Sequence, residues 1–222
     1  MQQKSSMRWV ILFILVFGTA MLNFSNLIFA SRPTDVMEQF NMTQTQLTAI
    51  STVGQLPGAF FSVWLGHMID KKGVRMLPGI LLALAAACQI WRCFAADYVS
   101  LFIITFLAGA FFLPTQILQG KLLGVWFSRE EMGTAMGIYG AGAGLGTTLA
   151  FAFGGLFPTI GIAFMVIAAG YVIEAALWFL FIKMPAGLAG GPVSEAPKGN
   201  LKNVFKSKNM WLLMICGGLS VG

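Results

Sequence analysis

The sequence predicts an all-α membrane protein, and three observations support this fold class. Of the 222 residues, 57% are hydrophobic and 10% are charged, whereas about 25% of the residues of an ordinary soluble domain are charged. The apolar residues form separate stretches long enough to cross a bilayer as helices. The basic residues concentrate in alternate segments between these stretches. We therefore expect lipid to be the solvent for most of the chain.

Six stretches supply the roughly 20 apolar residues that a helix needs to cross a hydrocarbon core of about 30 Å. They are Trp9–Ala30, Leu47–Leu65, Met76–Ala96, Val99–Leu123, Gly133–Leu156 and Ile160–Ile182. A seventh stretch, from Met210 to Gly222, is too short to span. We therefore predict a six-helix bundle (1–182), a cytoplasmic central linker rich in glycine and proline (183–209) and the truncated start of a seventh helix (210–222).

The distribution of basic residues predicts the orientation. Twelve lie in the N-terminal segment and in the loops on the same side of the predicted membrane: Lys4, Arg8, Lys71, Lys72, Arg75, Lys121, Arg129, Lys183, Lys198, Lys202, Lys206 and Lys208. The other side holds Arg32 and Arg92. Because cytoplasmic loops are enriched in Lys and Arg, we expect a multi-pass cell-membrane protein with a cytoplasmic N-terminus. Spread over separate loops, the net charge of +6 gives no reason to expect a nucleic-acid partner.

The six stretches fall into two groups of three. Three spans reverse the direction of the chain, so the second group would be inverted relative to the first. The expected architecture is thus six transmembrane helices arranged as a 3+3 inverted repeat, followed by the start of a seventh helix.

The segment between the second and third stretches carries a recognisable pattern. It reads Gly66-His67-Met68-Ile69-Asp70-Lys71-Lys72-Gly73-Val74-Arg75. This resembles the signature loop of the major facilitator superfamily, Gly-x-apolar-x-Asp-basic-x-Gly-basic-basic, with Val74 in place of a basic residue. The resemblance implies a gating loop formed by Gly66, Asp70, Lys71, Gly73 and Arg75.

The residue types in this loop have physical roles. Gly66 allows two helices to approach closely, and Gly73 can supply the positive φ that a tight turn needs. Asp70 lies among cations, where it can pair or face a helix N-terminus.

A second segment, residues 121–137, is also similar to these carriers, with an aromatic pair followed by a charged turn and small residues. Its Lys-Leu-x-x-Val-Trp-Phe spacing resembles the haem/choline-exporter-like branch. Three features depart from well-known members. The fourth span lacks an Arg, the fifth lacks the Gly-Pro of drug/proton antiporters, and Ser62 stands near the position of an Arg in nitrate porters.

Polar residues inside apolar spans are candidates for function because they are costly in lipid. Asn23 and Asn26 share one helix face, and so do Gln116 and Gln119, with Thr115 beside them. In the superfamily the first and fourth helices line the central cavity, so the resemblance implies that these five residues form the substrate site. Hydrogen bonding between helices is the equally open alternative.

Glu174 is the acid in the sixth apolar stretch. It is a candidate for coupling transport to a proton or another ion, and a structural hydrogen bond is the alternative. We further expect Arg92 to extend toward Asp97 at the outer surface, with cavity lining as the less favoured alternative. Leu101 is expected to face lipid. Gln55 and Pro57 are expected to mark a gating bend in the second span or to pack ordinarily.

Together these features favour a secondary active transporter, a symporter or antiporter, that moves a small solute by alternating access. It would need a missing C-terminal six-helix half. The alternatives are a seven-helix receptor or retinal-type protein, which needs a Lys in its last span, and a non-transporting membrane fragment. With one His, and with Cys88, Cys93 and Cys216 at no ligand spacing, we expect no metal, cofactor or enzymatic activity.

Overall fold

The computed structural model describes residues 6–182, except for the side chains of residues 63 and 70–72. This part of the chain is all helical, which confirms the predicted class for these residues. Its helices are α1 (Met7–Ser31), α2 (Pro33–Gln39), α3 (Gln44–Val53), α4 (Leu56–Lys72), α5 (Met76–Arg92), α6 (Tyr98–Trp126), α7 (Met132–Gly154) and α8 (Ile160–Phe181). The predicted linker (183–209) and seventh helix (210–222) lie outside the described residues.

Four of these helices, α1, α6, α7 and α8, are long and apolar enough to cross a membrane. Helix α5 is apolar but has 17 residues. The bounds of α1, α7 and α8 agree with the predicted first, fifth and sixth spans to within two residues. Large apolar side chains such as Phe60 and Leu156 are exposed on the bundle, as expected for a surface that meets lipid.

The second predicted span is divided into α3 and α4, so of the two expectations for Gln55 and Pro57 the bend is the one observed. Helix α3 ends at Val53 and α4 begins at Leu56, with a turn that joins the Gln55 N–H to the Thr52 carbonyl over 3.0 Å. Pro57 occupies the first turn of α4. A proline there lacks an N–H donor, and its ring collides with the carbonyl four residues earlier, which favours an interruption of the helix just before it.

The predicted outer loop, residues 32–46, contains a short helix of its own. Pro33 lies in the first turn of α2, where its fixed φ favours a helix start. Asn41 then adopts a positive φ of 46°. Thr43 and Gln46 form a capping box in which each side chain accepts from the other residue's backbone N–H, at 3.4 and 2.8 Å. This cap begins α3.

The third and fourth spans also differ from prediction at their junction. Helix α5 ends at Arg92 rather than Ala96, and α6 begins at Tyr98. Asp97 caps α6 by accepting from the Ser100 N–H at 2.8 Å. Hydrogen bonds from the Ser100 side chain and backbone hold the pKa of Asp97 below its ordinary value. Helix α6 runs unbroken through Pro114 to Trp126.

Helices α1 and α7 pack closely, and small residues on α7 allow this. Gly142, Gly146, Ala150 and Gly154 follow one another at intervals of four and are buried, so they form one stripe on α7. A Cβ at Gly146 would overlap the carbonyl of Ala20 in α1. This is the small-xxx-small packing that brings membrane helices into backbone contact.

Candidate functional site

A small pocket lies among α1, α6, α7 and α8, with space for about one water molecule. Its lining residues are Leu15, Thr19, Phe112, Thr115, Gln116, Tyr139 and Glu174. Five of the seven carry a polar side chain, contributed by all four helices. The pocket is therefore a hydrogen-bonding site inside a largely apolar bundle.

Glu174 supplies the acid of this pocket. It is 1% exposed, and its Oε2 atom has no hydrogen-bond partner among the described residues. The carboxyl group lies against Gly18 of α1, where any side chain would overlap it. An ionised carboxylate without a partner is costly at such a position. The group is therefore suited to hold a proton or to meet a cation.

The five predicted substrate-site residues are only partly brought together. Thr115 and Gln116 line the pocket, and the Thr115 hydroxyl donates to the Phe112 carbonyl at 2.6 Å. Asn23, Asn26 and Gln119 are not among its lining residues.

Each of these three residues has a different environment. The Asn23 Nδ2 donates to the Thr19 carbonyl of its own helix at 2.9 Å, one turn from the pocket. The Asn26 side chain lies beside Gly54, at the break between α3 and α4. The Gln119 Oε1 is buried without a partner among the described residues. Sequence spacing thus located the helices of the site better than its individual side chains.

Arg92 lies inside the bundle rather than at its outer surface. The expectation that it extends toward Asp97 is wrong, because its side chain is 2% exposed and points into the bundle. Its Nη1 donates to the Ser25 Oγ at 2.7 Å and to the Gln89 Oε1 at 3.1 Å. Its guanidinium carbon lies 4.3 and 4.4 Å from the ring centres of Phe29 and Phe164. Buried hydrogen bonds and two ring faces replace water around this cation.

The signature loop is described in part. Gly73 has a φ of 88°, the positive value that the sequence predicts, and its N–H donates to the Ile69 carbonyl at 2.8 Å. The Arg75 Nη2 donates to the Phe179 carbonyl at 2.7 Å, in the last turn of α8. A Cβ at Gly66 would meet Ile117 at 3.9 Å, an ordinary contact, so the expected close approach is not seen among the described residues. The side chains of Asp70 and Lys71 lie outside the described part.

On the side of the bundle where α1 begins, Arg8 joins α1 to the segment before α7. Its Nη1 donates to both carboxylate oxygens of Glu131, at 3.0 and 2.9 Å. The guanidinium also lies over the rings of Trp9 and Phe127, at 5.3 and 5.6 Å. Desolvation acts to raise the pKa of Glu131, but the hydrogen bonds from Arg8 and Ser128 outweigh it, and the pKa stays below its ordinary value.

The family model of the Major Facilitator Superfamily matches residues 10–222. The chain belongs to the Major Facilitator Superfamily. The helical structure of the described residues agrees with this family, and the gating loop stays a prediction. The narrower resemblance to the haem/choline-exporter-like branch stays a prediction.

This major facilitator chain is similar to several curated transporters. It is 20% identical to the probable L-galactonate transporter of Escherichia coli K12, in an alignment that covers 91% of this chain and 49% of that protein. It is 25% identical to the hexuronate transporter of Bacillus subtilis, over 67% of this chain and 36% of that one. A nitrate/nitrite transporter of Nostoc punctiforme is 27% identical, over 68% of this chain and 32% of that protein. The chain spans about half the length of the first of these relatives and less of the others.

Three interior residues of this major facilitator chain were not predicted from the sequence. Thr19 and Tyr139 line the pocket, and Tyr171 is buried beside it. Thr19 lies four residues before Asn23 on the same helix face, so this spacing could have identified it. Tyrosine is common within apolar helices, and its sequence context gave no signal.

Proposed function

We propose that the chain forms the N-terminal half of a secondary active carrier, which moves a small anion across the cell membrane by alternating access. The observation that carries the proposal is the polar pocket around Glu174, placed between the four long apolar helices. Polar side chains gathered between the membrane helices of a carrier can form its solute site.

The packing of the helices supports a 3+3 inverted repeat. If α1, α3–α4 and α5 are the first three spans, and α6, α7 and α8 the second three, the main contacts come in related pairs. The contact of α1 with α7 corresponds to that of α4 with α6, and that of α1 with α8 to that of α5 with α6. The contact of α5 with α8 relates to itself. An internal two-fold relation between inverted triplets produces this pattern.

The chemistry of the pocket suggests the class of solute. Hydroxyl and amide groups from Thr19, Thr115, Gln116 and Tyr139 can donate and accept hydrogen bonds. Three relatives are named for galactonate, hexuronate and nitrate/nitrite, all of which are small anions. Ser62 stands near the place of the Arg expected in nitrate porters. We therefore favour a hydroxylated carboxylate, such as a sugar acid, over nitrate.

Glu174 is the proposed coupling group of the carrier. A buried carboxyl can bind a proton when the pocket opens to one side and release it when the pocket opens to the other. Binding of the proton neutralises the group, which lowers the cost of burying it during the change of conformation. The N-terminus is proposed to be cytoplasmic, as the positive-inside distribution favours.

The signature loop is proposed to stabilise the state closed to the cytoplasm. The bond from Arg75 to the end of α8 fixes one side of this loop within the bundle. In the full-length carrier, Asp70→Asn should abolish most transport without lowering the amount of protein in the membrane. Wild-type turnover by this variant would contradict the gating role.

The substrate site is tested by counterflow of labelled galactonate, glucuronate and nitrate into proteoliposomes that contain the full-length carrier. Gln116→Ala and Thr115→Val should each raise the half-saturating concentration of the transported anion at least about fivefold, since each removes a hydrogen-bonding group worth about 1 kcal/mol or more. Leu101 is buried rather than facing lipid, so Ile103→Ala, at a residue that is 48% exposed, is the matched control on α6. Unchanged affinities in both site variants would contradict the proposed site.

A further inference from the structure

A column of buried polar side chains leads from the Glu174 pocket to the end of α5. Helices α1 and α8 pack against each other, so the contacts between them give the order of the groups in the column. At one level Gly18 of α1 lies against Glu174 of α8. At another level the rings of Phe29 in α1 and Phe164 in α8 pack with their centres 6.0 Å apart. Ser25 falls between these levels on α1, about 10 Å from Gly18 along the helix axis.

Tyr171 occupies the middle of this column. It lies one helical turn from Glu174 on the same face of α8 and is 1% exposed. Its hydroxyl lies near the Gln89 and Ser25 side chains, and Glu174 is also nearby. Its ring packs on Phe112 of the pocket, with ring centres 5.4 Å apart. Ionisable and hydroxyl groups therefore follow one another from the pocket to Ser25.

Arg92 closes the column at its other end. It is the last residue of α5, so its backbone borders the loop that follows, yet its guanidinium turns inward between the rings of Phe29 and Phe164. The ion pairs seen among the described residues do not include Arg92. Its charge is therefore not cancelled by a neighbouring carboxylate in this part of the chain, and arginine stays protonated at any physiological pH.

A fixed cation at a constriction is a strong barrier to protons, as in channels that pass water but exclude cations. We propose that Arg92 is a specificity-determining residue that seals this column against protons, so that a proton held at Glu174 cannot leak past the end of α5. This inference rests on the proposed coupling role of Glu174. Without such a seal, a polar path from a proton-binding group to the surface would dissipate the gradient that drives transport.

Among the residues that the structure describes, Arg92 is the cation of the column. Helix α1 presents Gly18 and Thr19 to the carboxyl, and α6 presents Thr115 and Gln116. The ionisable groups that interact with it are the phenols of Tyr139 in α7 and Tyr171 in α8. Arg92 in α5 interacts with Tyr171 and with the Cys93 thiol beside it.

Proton flux without substrate provides the test. The full-length carrier is reconstituted into liposomes that contain a pH-sensitive dye, and a potassium diffusion potential drives protons inward. Arg92→Gln should raise the flux about tenfold, the effect of removing a unit charge at about 10 Å for an effective dielectric constant of about 20. Arg92→Lys keeps the positive charge, so its proton flux should stay at the wild-type level. If Arg92→Gln does not accumulate in membranes, Arg92→Asn serves as the second neutral variant.

Two double variants identify the path. Adding Tyr171→Phe or Glu174→Gln to the Arg92→Gln carrier should return the flux to the wild-type level, whereas a carrier that leaks through misfolding would stay leaky. Proton flux at the wild-type level in the neutral Arg92 variants would overturn the proposed seal. A raised flux that persists after both Tyr171→Phe and Glu174→Gln are added would also overturn it. Gradient-driven uptake by the Glu174→Gln carrier is measured separately. If the Glu174→Gln carrier still couples uptake to the gradient, the proposed role of Glu174 is wrong. If its coupling is lost but the Arg92→Gln carrier shows no extra proton flux, only the proposed seal is refuted.

Discussion

The carboxyl group of Glu174 in α8 lies directly against Gly18 in α1, in the space that any side chain at position 18 would take. The absence of a side chain at this residue therefore allows an acid to be buried between the two helices, at the edge of the polar pocket.

Gly18→Ala should displace the Glu174 carboxyl and destabilise the carrier by about 1–3 kcal/mol, the usual cost of overpacking a buried site. The effect is measured by thermal unfolding of the purified full-length carrier in detergent. Shortening the acid by one methylene, with Glu174→Asp, should restore most of the loss in the Gly18→Ala background. A melting temperature that Gly18→Ala leaves unchanged would show that the two groups do not compete for space.

The glycines of α7 should respond to alanine in opposite ways. Gly146→Ala places a methyl group on the Ala20 carbonyl and should lower the melting temperature. Gly144→Ala meets no atom within 4 Å in the described structure, so it should be neutral or stabilising by up to about 1 kcal/mol through helix propensity. Equal shifts for the two variants would contradict the observed packing of α7 on α1.

The ion pair between Arg8 and Glu131 should show coupling in a double-mutant cycle of thermal stability. Arg8→Gln and Glu131→Gln should each destabilise, and the double variant should lose little more than either single change. The charge reversal, Arg8→Glu with Glu131→Arg, should recover part of the loss. Strictly additive losses would mean that the two residues act independently.

The pH dependence of this ion pair follows from the direction of the Glu131 shift. Its folded pKa lies below the ordinary value of 4.5. The stabilisation is therefore present above pH 4.5 and is lost as the pH falls through the lowered folded value. Between pH 6 and 8 the difference in stability between wild type and Glu131→Gln should stay constant.

The orientation is tested by labelling single cysteines with an impermeant thiol reagent, after Cys88, Cys93 and Cys216 are replaced. Gln39 in α2 and Glu130 before α7 are exposed and lie outside the long apolar helices. They are better sites than Thr43, whose side chain caps α3. In intact cells Gln39→Cys should be labelled, and Glu130→Cys should react only after permeabilisation. The reverse pattern would refute a cytoplasmic N-terminus.

Local signals explain which parts of the fold could be predicted. The bounds of α1, α7 and α8 follow from apolar runs that exceed the thickness of a bilayer. The positive φ of Gly73 follows from a glycine placed between two apolar runs. The division of the second span was signalled by Pro57, but hydropathy alone does not reveal a turn inside a continuous apolar stretch.

Long-range contacts explain the failures. Arg92 has a surface-like sequence context next to a loop, and its burial depends on Ser25 and Phe29 in α1 and Phe164 in α8. Leu101 cannot be told from its exposed neighbour Ile103 by composition, because both lie in an apolar helix whose two faces differ only in what packs on them. The pocket likewise joins residues from four helices, and only Thr115, Gln116 and Glu174 had a polar signal that the sequence analysis used.

The most direct test of the account is gradient-driven uptake of labelled galactonate or glucuronate by the full-length carrier in proteoliposomes that contain no nucleotide. The account predicts saturable accumulation against the concentration gradient when a pH gradient is imposed, its collapse on addition of a protonophore, and its loss in Glu174→Gln while substrate counterflow persists. Accumulation that requires ATP, or uptake of these and other small anions that never exceeds equilibration, would contradict secondary active transport through this chain.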